Sequence, residues 1–413
     1  MSSTQQCFSS ATGSPQGTRD DRPDLAVSPR MRICLIYDCL YPYTVGGAER
    51  WYRNLAERLV AEGHEVTYLT LRQWDRGERL DLDPRIRVVC AGPRMALYTG
   101  GRRRILPPLV FGAGVLWHLL RHGRRYDAVH TCAFPYFSLL AAAAARPLGR
   151  YRLITDWFEV WSREYWRGYL GGLGGRMGAL VQRLCAHVPQ HAFCFSELHA
   201  ERLREEGLRG EVTLLRGLYA GSSTPAIPRR ADPLVVFAGR LIPEKRVTVG
   251  VAAVVAATRQ IPDLQAIFYG DGPERAALAA AISEHGGGGF ISAPGFADAE
   301  LVDEDMRRAL CVLLPSEREG YGMVVIEACA HATPAVVVAA PDNAAIELVQ
   351  PGVNGVIAAS ADPEAIAQAI AQVYEAGMAM RRSTADWFAE QAHNLSLESS
   401  LETVLAGYDA RAR

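Results

Sequence analysis

Pro315-Ser316-Glu317-Arg318-Glu319-Gly320-Tyr321-Gly322-Met323-Val324-Val325-Ile326-Glu327 follows the apolar run 311–314 and opens a second apolar stretch. A short strand, a glycine-bearing loop and a helix in that order are one unit of a parallel α/β sheet. Gly320 and Gly322 leave backbone N–H groups free at the helix start, where the helix dipole favours an anion. Glu319 lies in the loop. Met323 to Glu327 spans about one helical turn, so Glu327 sits one turn in. Its neighbours Val324, Val325, Ile326, Ala328 and Cys329 are apolar, and a carboxylate among them is costly unless it finds a partner. Two carboxylates beside one helix N-terminus can accept hydrogen bonds from the hydroxyls of a sugar or ribose.

Upstream, the same rhythm begins at the run 234–238, which leads into Gly239-Arg240-Leu241-Ile242-Pro243-Glu244-Lys245. Of 44 Lys plus Arg residues, Lys245 is the single lysine. Where positive charge alone suffices, this chain uses Arg. A lysine kept as a compact point charge therefore points to an anion site. Further strand candidates are 265–269 and 335–339, separated by Ala-rich helical stretches such as 273–284 and 363–374. The first half repeats the pattern, with strands at 32–38, 66–71, 128–132, 152–155, 192–195 and 212–215. Its first helix, 49–61, places Trp51, Leu55 and Leu59 on one face and stops at Gly63. The chain thus reads as α/β, with two Rossmann-like doubly wound domains and an interdomain cleft, a favoured place for a ligand. The expected divisions are a disordered tail 1–30, an N-terminal domain 31–220, a linker 221–232 rich in Ser, Pro and Arg, a C-terminal domain 233–380, and terminal helices 381–413.

Composition narrows the function. At 413 residues, 49% hydrophobic and 22% charged, the chain suits a two-domain globular protein. A formal net charge of −1 argues against bulk nucleic-acid binding. Nine cysteines without a Cys-x-x-Cys pair or a His/Cys cluster read as reduced thiols of a cytoplasmic protein. The polar residues 1–30 are neither signal peptide nor strand, and Met31 is a second candidate start. No run reaches the roughly 18 apolar residues of a spanning helix. The nearest, 105–120, is flanked by Arg102, Arg103, Arg104, Arg121, Arg124 and Arg125. It reads either as an ordinary helix with basic ends or as peripheral contact with a membrane surface through 102–125.

Neither half carries Gly-x-Gly-x-x-Gly after its first strand, which disfavours a nicotinamide oxidoreductase. The first strand leads instead to Gly46-Gly47-Ala48-Glu49, a turn that lets backbone approach a ligand. His130 closes the strand 128–132 and is expected to face the cleft. Asp156, Trp157, Glu159 and Trp161 follow the next strand. Aromatics at 157, 161 and 165 at helical spacing make either a packed face or an acceptor platform.

Glu319-x7-Glu327, preceded by Gly239-Arg240-x4-Lys245 and by Gly46-Gly47-Ala48-Glu49, resembles the retaining nucleotide-sugar glycosyltransferases of family 4, with the GT-B fold. Tyr269-Gly270-Asp271-Gly272-Pro273-Glu274, Pro294-Gly295-Phe296 and Asn343 to Glu347 agree with it. The resemblance covers nearly everything from Met31 onward. It implies an N-terminal acceptor domain, a C-terminal donor domain and a terminal helix crossing back over the first. By it, Arg240 and Lys245 hold the donor diphosphate, Glu327 binds the ribose, and Glu319 with Gly320, Tyr321, Gly322 and Met323 holds the sugar. Phe296 lies near the base, Gly46 and Gly47 approach the donor, and His130 contacts the transferred sugar or acceptor. The donor is a nucleoside-diphosphate sugar, the acceptor an unspecified hydroxyl compound, and neither metal nor cofactor is implied.

The chain departs from its family at three places. Cys132 stands where many relatives carry a second His, and Phe158 where a His is frequent. Leu215-Arg216-Gly217-Leu218-Tyr219 replaces the usual Pro-Asn-Gly. A sugar-nucleotide epimerase and a non-catalytic nucleotide-sugar binding protein are the alternatives to a hexosyltransferase-like enzyme.

Overall fold

The structure, a computed structural model, describes residues 30–44, 46–75, 77–99 and 102–409. The expected tail therefore lies outside the described residues, apart from Arg30. Two parallel sheets form the core. The first contains β1 (Arg32–Ile36), β2 (Glu65–Leu71), β3 (Arg87–Gly92), β6 (Ala128–Cys132), β7 (Arg152–Trp157), β8 (Gln190–Cys194) and β9 (Gly210–Leu214), in the order β3-β2-β1-β6-β7-β8-β9. Between β3 and β6 lies a small hairpin, β4 (Tyr98–Thr99) and β5 (Arg102–Arg103). The second sheet contains β10 (Leu234–Ala238), β11 (Gln265–Tyr269), β12 (Ile291–Gly295), β13 (Cys311–Leu314), β15 (Ala335–Val338) and β17 (Gly355–Ala358), in the order β12-β11-β10-β13-β15-β17. A two-residue ladder, β14 (Arg318–Glu319) with β16 (Asp342–Asn343), stands at its mouth.

The helices fill the crossovers. In the first domain these are α1 (Gly47–Ala61), α2 (Leu106–His122), α3 (Phe137–Gly149), α4 (Arg163–Ala186) and α5 (Glu197–Glu205). In the second they are α6 (Val247–Ala257), α7 (Arg275–Glu284), α8 (Ala299–Arg308) and α9 (Met323–Ala330), followed by α10 (Pro363–Leu395) and α11 (Leu397–Asp409). The central strands are continuous apolar runs because helices cover both faces. β1 buries Ile33, Cys34, Leu35 and Ile36, and β13 buries Cys311 to Leu314. The edge strands β3, β12 and β17 were not legible in the sequence. They are short and half-exposed, so their apolar content is diluted.

The chain returns to its first domain at the end. α10 bends at Gly377, whose φ of 52° and ψ of −129° are open to glycine and strained for other residues. Just past the bend, buried Arg381 donates to the carbonyls of Ala309 and Arg307, anchoring the helix on the second domain. Tyr219 and Ser396 then bridge the two crossings, with Tyr219 N–H donating to Leu395 O at 3.0 Å. α11 lies over the first sheet. Arg152 donates to the carbonyls of Tyr408 and Gly407, and Arg58 pairs with Glu398 at 2.7 Å.

His130 belongs to this packing and not to the cleft. It is fully buried in the middle of β6, with Nδ1 2.6 Å from the Tyr408 hydroxyl and Nε2 2.9 Å from Asp156. Its ring lies among Tyr52, Phe193 and Tyr408. The expected cleft position is corrected: the strand's side-chain alternation turns residue 130 into the core. Tyr408→Phe keeps the ring and deletes the hydroxyl that meets His130. It should cost about 1–3 kcal/mol, read as a lower urea midpoint for the first domain.

Candidate functional site

Each sheet reverses its direction of growth once, between β1 and β6 and between β10 and β13. Crevices at such points, beyond the carboxyl ends of the strands, take ligands. Here the two crevices face each other. On the second domain the loop after β10 carries Arg240 and Lys245. It is laced to the loop after β11, with Leu241 N–H donating to Asp271 O at 2.9 Å and Glu274 N–H to Leu241 O at 2.9 Å. Gly270 and Gly272 take φ of 132° and 155° and lie against the Gly239 and Leu241 carbonyls, where no side chain fits.

Lys245 Nζ donates to Glu319 Oε1, which also accepts from Ser316 Oγ at 2.7 Å. The two residues that frame the quoted stretches thus meet, with Glu319 buried. Gly322 caps α9 in the left-handed region at φ 100°, and a Cβ there would press on Ala345. Met323 begins the helix and faces the other domain: a Cβ on Gly47 would lie 3.9 Å from its sulfur. A Cβ on Gly320 would meet the Phe158 carbonyl at 2.8 Å, so that loop touches the first domain directly. Tyr321 is buried and its hydroxyl donates to the Arg216 carbonyl, which makes it a docking residue between domains. Phe296 is 80% exposed at the outer end of β12.

Several charges in the cleft have no side-chain partner among the described residues, Arg240 and Glu327 among them. The Arg240 side chain is exposed and makes no hydrogen bond or ion pair, and neither does that of the half-buried Glu327. Burial holds the Glu327 carboxyl above its ordinary pKa, opposed by Arg50 of the first domain. Glu49, buried in the first turn of α1, is pushed up by burial and by Asp38, against the pull of Arg240 and Arg103. The first domain also brings Asp38, directly after β1, to an ion pair with Arg103 from β5. Asp38 is fully buried, and its second oxygen, Oδ1, has no hydrogen-bond partner. Asp38 was not singled out from the sequence and Arg103 was read only as a basic flank of the segment 105–120, although a carboxylate at the end of the first strand lies where such crevices form.

The four residues expected on the acceptor side divide. Asp156 is fully buried, accepting from Trp51 Nε1 at 2.8 Å beside His130, and Trp157 is fully buried with Nε1 on Gln190 at 2.9 Å. Trp157 ends β7, whereas the helix starts at Arg163, so 157, 161 and 165 share no helical face. That expectation is corrected: Asp156 and Trp157 are core. Glu159 and Trp161 do reach the interface. Glu159 accepts from Trp161 Nε1 at 2.7 Å and pairs with Arg318 of the second domain.

Arg318 is a further residue that sequence reasoning passed over. Its guanidinium lies over the rings of Tyr165 and Trp161, 4.5 and 5.0 Å from their centroids. It also pairs with Glu244 at 3.3 Å, and Tyr165 donates to the same Glu244 oxygen at 2.7 Å. Burial lowers its pKa to about 10. Nearby, Glu347 accepts the N–H groups of Glu197 and Leu198 at 2.8 Å each, a carboxylate of one domain on a helix N-terminus of the other. Arg202 pairs with Asp342 at 2.5 Å. Among the described residues no group of three or more His, Cys, Asp or Glu is placed to hold a metal ion.

Comparison with known proteins agrees with this architecture. The family model for glycosyl transferases group 1 matches residues 226–392, and that for glycosyltransferase family 4 matches residues 45–215. The alpha-D-kanosaminyltransferase of Streptomyces kanamyceticus is 30% identical over 125 residues, 30% of this chain and 32% of that one. The chain thus spans about a third of that relative. Among solved structures, sucrose-phosphate synthase from Thermosynechococcus elongatus superposes with a TM-score of 0.74 at 19% identity, covering 92% of this chain and 98% of that one. Anabaena HepE, solved with UDP and glucose, gives 0.68 at 18% identity, covering 92% and 100%.

The unpartnered Glu327 has a thermodynamic signature. An unfolded glutamate ionises near the ordinary value of 4.5, and the folded one at higher pH. Its burial therefore costs nothing below 4.5 and increasingly more as pH rises through the folded value. Glu327→Gln should raise the melting temperature of the empty protein at pH 7 and leave it nearly unchanged at pH 4. The scale is on the order of 2–4 °C for each kcal/mol relieved.

Proposed function

We propose that this chain, which belongs to glycosyltransferase family 4 and has the GT-B fold, transfers a sugar from a nucleoside-diphosphate sugar to a hydroxyl acceptor with retention of configuration. The observation that supports this reading is the contact of Lys245 with Glu319 between the loops after β10 and β13, beside the start of α9, where Met323 faces Gly47 of the first domain. A diphosphate needs cations, and Arg240 is unpartnered there while Lys245 is a single exchange away. Developing charge on the leaving phosphate is stabilised best by donors already in place. Arg240 and Lys245 take that part without a metal. Free N–H groups at the start of α9, opened by Gly322, add to it.

Glu327 accepts the ribose hydroxyls, which supply hydrogen bonds that no described residue gives its carboxylate. Glu319 gives up Lys245 to the phosphate and turns to the sugar hydroxyls. Phe296 lies outward, beside the base. HepE was solved with UDP and glucose, which supports a nucleotide-sugar donor for this chain as well. No side chain stands out as a nucleophile. The acceptor hydroxyl attacks on the face that the leaving group departs from, and the phosphate oxygen takes its proton. The acceptor enters from the first domain, past Asp38, Arg103 and Glu49. Cys132, buried at the end of β6, leaves that wall without the imidazole that many relatives have.

Lys245→Ala and Glu327→Ala should each abolish most transfer while the melting profile stays cooperative. Lys245→Arg should also lose most activity, because a planar fork does not replace a point charge here. Near-native turnover in the purified variants would remove the donor-site assignment. Thermal shift with UDP-, GDP- and TDP-sugars reads the donor directly: a ligand at about 100 times its Kd adds roughly 2.7 kcal/mol. Conversion of the sugar nucleotide with no acceptor present would favour an epimerase instead.

A further inference from the structure

Among the described residues, eleven of the fifteen exposed large hydrophobic side chains fall between residues 105 and 184. They sit on α2, at the end of α3 and on α4. The crossovers β3 to β6, β6 to β7 and β7 to β8 all advance in one direction across the first sheet. Right-handed crossovers then put α2, α3 and α4 on the same face. α2 is unusual for a surface helix. From Ile105 to Leu120 it has no charged residue, and its outward stripe of Leu106, Leu109, Trp117 and Leu120 is as apolar as its buried one. A helix that is apolar all round belongs against another apolar phase.

α4 adds a second element. It breaks at Gly171, with φ 78° and ψ −176°, and its two arms fold together. A Cβ on Gly175 would lie 2.6 Å from the Trp166 carbonyl, so glycine is what lets the arms close. The elbow thrusts out Leu170 and Leu173, the latter 77% exposed. One residue before it, the Tyr169 hydroxyl accepts from Arg103 N–H at 3.3 Å. That contact sets the elbow beside the start of α2, where Ile105, Leu106 and Leu109 are exposed, and beside the mouth of the cleft.

The charge around this surface is predominantly positive. Residues 101–186 contain thirteen Arg and four acidic residues, in a chain of net charge −1; Arg103 is paired with Asp38 and Arg152 is held by carbonyls of α11, which leaves eleven Arg. Of the four acids, Asp127 pairs with Arg32, Asp156 is buried and Glu159 pairs with Arg318, which leaves Glu164. Arg121 covers the Trp117 ring at 4.1 Å. A second copy of the chain laid on this face would bring arginines against arginines. An anionic surface with an apolar interior satisfies both the charge and the exposed leucines.

We propose that the face built by α2 and the α4 elbow docks on an anionic lipid bilayer, with the mouth of the cleft turned toward it. No helix among the described residues is long and apolar enough to cross a membrane, so the contact is superficial. The proposal stands independently of the donor assignment.

The test is co-sedimentation of the full chain with vesicles of phosphatidylcholine alone and of phosphatidylcholine with phosphatidylglycerol. Binding should be at least about tenfold stronger to the anionic vesicles and weaken with salt. Leu106→Glu with Leu173→Glu should lose about tenfold or more of that binding at an unchanged melting temperature. If that pair melts early, Arg104→Glu with Arg167→Glu reads the same loss while leaving the apolar face intact. Protein left in the supernatant with both vesicles, or equal binding to both, overturns the proposal. So does a dimeric mass in solution that Leu173→Glu reduces to the monomer, which would assign this face to a second copy.

Discussion

A buried guanidinium sits where the two domains meet, and the cleft takes its shape from it. Arg318 belongs to the second domain by sequence, but half of its surroundings, Glu159, Trp161 and Tyr165, come from the first. Taking a charge out of water costs several kcal/mol unless it is paired and covered. Glu244 of its own domain offsets part of that cost, and Glu159 with the two aromatic faces offsets more only while the domains are together. The next residue, Glu319, is thereby fixed in β14 at the height where it meets Lys245. A residue that holds the domains and the carboxylate that meets Lys245 are neighbours in one two-residue strand.

Other contacts repeat this economy. Glu347 caps α5 from across the gap, and Asp342, in the strand that pairs with β14, holds Arg202. Tyr321 spends its hydroxyl on the Arg216 carbonyl. The crossing of α10 and α11 closes the far side, where Tyr219, Ser396 and Tyr408 tie the chain's end to the first sheet. Loops that carry the polar groups of the cleft are therefore braced from two directions, as a site needing narrow tolerances requires.

Much of this was legible because parallel α/β units write themselves plainly. The central strands are unbroken apolar runs, and the glycines at 46, 47, 320 and 322 sit where backbone must approach something. Lys245 stood out as the single lysine and Glu327 as a carboxylate among apolar neighbours, and the structure brings Lys245 into contact with Glu319. The errors share a cause as well. His130, Asp156 and Trp157 are polar or aromatic residues near strand ends, and sequence alone did not tell which side of the strand they occupy. Side-chain alternation, set by pairing with β1 and β8, turned them inward to satisfy one another. The roles of Asp38, Arg103 and Arg318 escaped because they lie in partners 65 to 159 positions away.

The pairing of Lys245 with Glu319 has a kinetic side. Seen from a distance, an ion pair is a dipole whose field dies away faster than that of a single charge. An approaching dianion therefore feels chiefly Arg240 until it is close enough to trade places with the carboxylate. Long-range steering, the part that salt screens over roughly 8–10 Å, is then the work of one exposed arginine. The stronger second grip is held back for the moment of contact. On the proposed donor binding, the lysine's charge would be kept from unselective capture of passing anions and released only to a ligand that also engages Glu319.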